Sequence, residues 1–260
     1  MTYETILFSK EDGLGIITFN RATKLNALNN KMVEDLGKVI QECEKDEEVK
    51  VIMFTGGTEL FGAGADIDML EKIPSSADCY LFSLASSSAY NAIESIGKPT
   101  VAAIGGFCLG GMMEISLCCD FRIAADNARF GLPEVTLGIL PGGGGTQRLP
   151  RLVGMTKAKE LAYLGEMIDA QEGYRIGLLN KVVPKDQLME EAKKFAKKLL
   201  GRPLFAVRMI KAAMNTGANV GLREALEIER QSFTILFSTE DKSEGLKAFL
   251  EKRRGQFKGR

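Results

Sequence analysis

Glu114 and Glu134 lie in the stretch GFCLGGMMEISLCCDFRIAADNARFGLPEVTLGILPGGGG (106–145), each among apolar and small residues where a solvated surface carboxylate is not expected. A carboxyl in an apolar pocket has its charged form disfavoured, which lifts its pKa toward the working range of a general acid or base. Two such groups whose protonation differs can move protons in opposite senses. The competing reading is structural: Glu114 satisfies the amides at the start of its own helix, and Glu134 caps the next turn. Glycine supplies the second chemical element. FGAGAD (61–66) and LGGMME (109–114) each follow a strand and lead into a helix. Small residues there let backbone N–H groups approach a ligand closely, and the helix start adds positive dipole. Two N–H groups converging on one carbonyl oxygen would stabilise developing negative charge by about 3–4 kcal/mol per donor. Alternatively these glycines only permit tight turns.

Composition removes most other chemistries. The 260 residues include no histidine, which excludes Ser-His-Asp and Cys-His catalysis and HExxH zinc sites. Catalysis must then rest on Asp/Glu, Lys, Tyr, Cys, backbone dipoles or a cofactor. No GxxxxGK[ST] or strand-borne GxGxxG occurs, and GGGGTQR (142–148) has neither the lysine nor the spacing of a phosphate loop. Lys+Arg and Asp+Glu both number 34, so the chain carries no overall footprint for nucleic acid or an anionic membrane. The five cysteines are odd in number and form no CxxC pair, and vicinal Cys118-Cys119 reads as small-residue packing in a reduced, intracellular protein. No signal or transit segment and no membrane-spanning run is read, so a cytoplasmic protein starting at Met1 is expected.

The elements that must position the acids follow from periodicity. YETILFS (3–9) and LGIITFN (14–20) read as a hairpin, and Asn30 as the cap of a helix with apolar Val33, Leu36, Ile40 and Cys43. Strands are expected at 49–57, 100–106, 120–126 and 180–183. Helices are expected at 77–96, 110–119, 146–153, 154–164, 186–200, 203–216, 221–237 and 241–254. The composition shifts near 185–200 from Gly- and strand-rich to Lys/Glu/Leu-rich helix. The class is α/β with a helical tail.

FGAGAD-I, GFCLGGMMEISLCCDFRIAA, ARFGLPEVTLGILPGGGGTQRLPRLVG, GLLNKVVP and STEDKSEGLKAFLEKR occur in order over essentially the whole chain. Together they resemble the enoyl-CoA hydratase/isomerase (crotonase) family. The resemblance implies a crotonase-type spiral of ββα units holding the acyl-CoA site over 1–195, and a C-terminal helical trimerisation region over 196–260. It implies an acyl-CoA thioester substrate, a homotrimer or pair of trimers, and no cofactor or metal, CoA being part of the substrate. By motif position the oxyanion donors are the N–H groups of Ala65 and Gly111. Glu114 and Glu134 are the two acids that hold water and protonate C2 during syn addition across the 2,3-double bond, and Gly142 helps place the water. The CoA moiety falls to Lys24, Leu25, Ala63, Ala65, Asp66 and Ile67, with Phe249 and Lys252 reaching a neighbouring subunit's CoA. Retention of Glu114 favours a hydratase over a single-acid isomerase of the same fold, and the balanced charge argues against a non-catalytic RNA-binding homologue. The acyl group is left open as linear, branched, cyclic or dienoyl. Met112-Met113 and Leu132 depart from common members and are expected to reshape the acyl pocket; LGEMIDA (164–170) departs as well.

Overall fold

A computed structural model of the chain describes residues 3–259. The chain opens on an antiparallel hairpin, β1 (Ile6–Glu11) and β2 (Leu14–Phe19), followed by helix α1 (Asn30–Lys45). Three strand pairs come next, each a longer strand and a shorter one. β3 (Val51–Thr55) and β4 (Leu60–Gly62) lead into α2 (Ile67–Glu71) and α3 (Ser76–Ser95); β5 (Thr100–Ile104) and β6 (Phe107–Leu109) lead into α4 (Gly110–Cys118). β7 (Phe121–Ala125) and β8 (Arg129–Gly131) lead through a 3-10 turn, Pro133–Leu137, to α5 (Gly145–Val153) and α6 (Met155–Leu164). The remainder is β9 (Ile168–Asp169), α7 (Ala170–Arg175), β10 (Lys181–Val183), α8 (Leu188–Leu200), α9 (Leu204–Gly217), α10 (Leu222–Leu236) and α11 (Glu240–Leu250). The repeated strand–strand–helix turn is the ββα spiral expected from the sequence.

The long strands form one sheet in the order β1-β2-β3-β5-β7-β10, parallel after the hairpin. β3 and β5 are buried along their whole length, which explains their unbroken apolar character. Alternate residues face opposite sides. Ile52, Phe54, Ala102, Ile104 and Ala124 pack with α1, α3 and α4, while Val51, Met53, Val101, Ala103 and Ile123 pack against Leu188, Ala192 and Ala196 of α8. The short strands make a second sheet, β4-β6-β8-β9, which periodicity did not reveal. Strands of two or three residues are too short to display alternation.

The cap of α1 also differs from expectation. Asn29, not Asn30, is the capping residue, its Oδ1 accepting the Met32 N–H at 2.9 Å, and Asn30 is the first helical residue. Cys43, Cys108, Cys118 and Cys119 are buried, and burial pushes the first three thiols up to about 12, consistent with packing. Among the described residues no helix is long and apolar enough to cross a membrane, and no cluster of three acidic or cysteine side chains could hold a metal ion.

Candidate active site

Helix α4 begins where β6 ends, and its first residues set one wall of a cavity of about 860 Å³. Gly110 has φ +49°, and a Cβ there would stand 2.9 Å from Glu134 Oε1, so both backbone and space require glycine. Gly111 is the second helical residue, so its N–H is among the first-turn donors that have no carbonyl a turn earlier. Glu114 follows three residues on and shares that face. All of Gly110–Cys118 is buried. The far end of α4 is closed by buried Arg122, which donates to the carbonyls of Ser116 at 3.1 Å, Cys119 at 2.7 Å and Leu178 at 2.7 Å. A cation on helix-end carbonyls complements the dipole.

The Glu114 side chain does not serve its own helix. Its Oε1 accepts from the Gly143 N–H at 2.8 Å and the Gly145 N–H at 2.7 Å, in the four-glycine segment that runs into the first residue of α5. The structural reading of Glu114 as an N-terminal cap of α4 is therefore replaced by a bridge between α4 and a distant loop. Burial pushes the Glu114 carboxyl above its ordinary value; the Gly145 and Gly143 N–H groups and the Arg148 charge work against that rise.

Glu134 is delivered by β8 and the 3-10 turn, directly after Pro133. It is half-buried, and its Oε2 atom is buried with no hydrogen-bond partner among the described residues. Burial lifts its pKa from 4.5 to about 7; its own N–H lowers it somewhat, and the nearby Glu114 charge raises it further. The expectation that this side chain caps the next turn is not met. Its Oε1 lies 2.9 Å from where a Gly110 Cβ would be while Glu114 Oε2 lies 3.9 Å from where a Gly111 Cβ would be, so the two acids approach adjacent residues of α4.

The opposite wall comes from the loop after β4. Leu28 bridges to Ala65: its N–H donates to Gly64 O at 2.8 Å, and its carbonyl accepts from Asp66 N–H at 2.8 Å. Leu28 thus spends both backbone groups on residues flanking Ala65, which turns the Ala65 N–H to the other side of the segment. A Cβ on Gly64 would stand 3.8 Å from the Gly111 nitrogen, so this loop and the start of α4 are in close apposition. Ala65 and Gly111 both line the cavity.

Of the residues singled out from sequence, Ala63, Ala65, Ile67, Gly111, Glu114, Glu134 and Gly142 line this one cavity. Others are engaged elsewhere. The Lys24 ammonium pairs with Asp68 at 3.1 Å on the surface, Leu25 is exposed, and the Asp66 carboxylate pairs with Arg21 at 2.7 Å. Phe249 and Lys252 lie exposed at the end of α11, away from the cavity wall. Met112, Met113 and Leu132, expected to reshape the acyl pocket, do not line the cavity. All three are fully buried in the core; Met112 packs instead against Gly62, where a Cβ would stand 2.4 Å from its Cγ. Other parts of the cavity wall are made by α3 (Cys79, Phe82, Ser83, Ser86, Tyr90) and by Leu137, Ile139 and Leu140. Sequence reading missed Tyr90, Gly143, Gly145 and Arg148. The signal for the last three was the GGGGTQR segment, read only for its failure as a phosphate loop.

Comparison with known proteins gives the family. The family model described as enoyl-CoA hydratase/isomerase matches residues 9–260. The chain is 44% identical to a protein of Syntrophomonas wolfei named crotonyl-CoA hydratase, over 99% of each chain. It is 43% identical to one of Clostridium acetobutylicum named short-chain-enoyl-CoA hydratase, over 98% of this chain and 97% of that one. A crystal structure of enoyl-CoA hydratase from Bacillus anthracis superposes with a TM-score of 0.94 at 38% identity, covering 99% of this chain and 100% of that one. The chain belongs to the enoyl-CoA hydratase/isomerase family.

Proposed function

We propose that this protein is an enoyl-CoA hydratase that adds water across the 2,3-double bond of a short- or medium-chain enoyl-CoA thioester. The observation that carries the reading is the pair of carboxyls in one mainly apolar cavity, one anchored by two amides and the other with a buried oxygen that has no partner among the described residues. The names of the relatives point the same way.

In this mechanism the thioester carbonyl sits between the N–H groups of Ala65 and Gly111, which receive the negative charge as the enolate forms. Glu114, its Oε1 held by the loop, uses the other oxygen to orient water beside Gly142 and takes a proton as the water oxygen bonds to C3. Glu134, raised to about 7 and so able to carry a proton near neutrality, delivers it to C2. The product is the 3-hydroxyacyl thioester, and one proton passed between the acids resets the site. A metal or a histidine is not required: the alkene is activated through the polarised carbonyl.

The cavity supports an uncharged acyl group. Its walls are Leu28, Ile67, Leu70, Phe82, Ile139 and Leu140, and no lysine or arginine is among the lining residues to meet a terminal carboxylate. The Ser86 and Thr136 hydroxyls donate to the Phe82 and Pro133 carbonyls, so neither is a free donor aimed at the acyl chain. Ala63, Asp66, Ile67, Lys24 and Leu25 form the CoA-side rim in this reading. α9–α11 expose Ile210, Met214, Phe233, Phe249 and Leu250, a surface suited to trimer contacts that bring Phe249 and Lys252 to a neighbour's CoA.

The test is a panel of straight-chain 2-enoyl-CoA thioesters from four to twelve carbons (roughly the short-to-medium range), with 2,3-dehydroadipyl-CoA as the carboxylated control. Loss of the conjugated-thioester absorbance and a 3-hydroxyacyl product are expected for the uncharged substrates. Migration of the double bond without water uptake, or no turnover on any of them, would overturn the hydratase reading.

A further inference from the structure

The loop that holds Glu114 has no side chains of its own in Gly142–Gly145 to fix its course. Its anchor comes from Arg148, in α5. Arg148 Nη1 donates to the Gly143 carbonyl at 3.0 Å. The rest of the guanidinium is committed to α3: Nε and Nη2 donate to Glu94 Oε2 at 3.0 and 2.7 Å, and Nη2 to Asn91 Oδ1 at 2.7 Å. The Gly143 peptide is therefore gripped at both ends, its N–H on Glu114 and its carbonyl shared with Arg148. Gly144 has φ +107°, and a Cβ there would stand 2.1 Å from Arg148 Nη1, so the loop closes tightly over the guanidinium. Arg148, Asn91 and Glu94 are absent from the cavity wall, so none of them meets the substrate.

The geometry points to Arg148, oriented by Glu94 and Asn91, as a positioning residue for Glu114: it fixes the Gly143 peptide and through it the aim of the Glu114 carboxyl. This rests on the hydratase reading above. The planar fork matters, because one guanidinium must satisfy a carbonyl, a carboxylate and an amide oxygen at fixed angles, which a lysine ammonium does not reproduce. Charge adds a second effect. The groups that face Glu114 are Arg148 from α5, Glu134 from the 3-10 turn, Tyr90 from α3, and Cys118 from the next turn of α4, while Glu94 faces Arg148 and Cys118. Arg148 is the cation among them, and Tyr90 and Cys118 stay neutral because burial pushes both up. Removing its charge favours protonated Glu114. Since the base must be ionised, the acid limb of kcat/KM then moves to higher pH.

Three variants separate geometry from charge: Arg148→Met, Arg148→Lys and Glu94→Gln. R148M is expected to lose about 10²-fold in kcat with KM within about threefold, the scale of a misplaced catalytic group, and to shift the acid limb upward. R148K is expected to lose roughly tenfold in kcat while keeping the limb at its wild-type position. E94Q is expected to fall between R148K and wild type. Hydrogen exchange of the peptide carrying the Gly143 and Gly145 amides should quicken in R148M and R148K, with thermal unfolding as the control for global effects. If R148M does not fold, R148K and E94Q carry the test. Wild-type kcat and limb position in the folded variants would overturn the proposal, as would unchanged exchange of the loop. Absence of hydration by the wild-type protein would refute the hydratase reading alone, and the exchange measurement would still decide whether Arg148 holds the loop.

Discussion

Helix α4 and the Pro133–Leu137 turn each bring one acid to the cavity, in contrasting settings. Glu114 stands on a nine-residue helix buried throughout, only 3% exposed, with one oxygen doubly held by the loop at Gly143 and Gly145. Glu134 stands on a five-residue turn whose Val135 and Leu137 are exposed, and one of its oxygens has no partner among the described residues. Both carboxyls are raised by burial; two amides of another segment and a cation work against the rise at Glu114, and only its own N–H does so at Glu134. In the proposed mechanism, environment alone divides two identical side chains into an anchored base and a proton carrier.

The sharpest way to break this contrast is to remove either carboxyl charge. Glu114→Gln and Glu134→Gln should each lower kcat for crotonyl-CoA by about 10²–10⁴-fold, the usual worth of a positioned acid or base, read from the decay of enoyl-thioester absorbance. Next in size is Gly143→Ala. The new Cβ would stand 2.2 Å from the Tyr90 ring and 2.6 Å from Glu114 Oε2. Stability should fall by about 1–3 kcal/mol in denaturant unfolding, and kcat by about 10²-fold as Glu114 is displaced. A subtler test uses pH. With Glu134 raised to about 7 from 4.5, the folded chain holds that proton more tightly than the unfolded chain. Its contribution to stability is full below pH 4.5 and is lost as pH rises through 7, on the order of 1–2 kcal/mol after allowing for the part of the side chain that water reaches. Glu134→Gln should flatten that slope in unfolding curves taken between pH 5 and 8 (roughly the window of the shift). The smallest expected effect lies at the rim: Lys24→Ala breaks an exposed ion pair worth about 0–1 kcal/mol and should raise KM for the thioester modestly, leaving kcat unchanged.

The central sheet and the helices were legible because their signals are local. An unbroken apolar run such as VIMFT (51–55) announces a strand buried on both faces, and the 3-4-3 spacing in α1 announces its core-facing side. The second sheet was not legible, since Phe107–Leu109 pairs with Arg129–Gly131 through three-residue strands without periodicity. The site divides in the same way. The glycine-flanked acids could be picked out from residue types alone, but the partners of Glu114 lie 29 and 31 residues away, in a loop that offers only backbone. Arg148 depended on α3 and α5 meeting, which no spacing reveals. Met112, Met113 and Leu132 could not be placed from the pattern because α4 is buried all round and Leu132 is itself fully buried, so nothing in the sequence says which residues face the cavity.

The most direct measurement is kcat/KM for hydration of crotonyl-CoA by the Glu114→Gln/Glu134→Gln double variant beside the two single variants. If the two acids act on one double bond in a single step, the double variant is no slower than about the slower single, because removing one partner already disables the unit. Losses that multiply as for independent sites, or either single variant hydrating at the wild-type rate, would contradict the paired-acid mechanism.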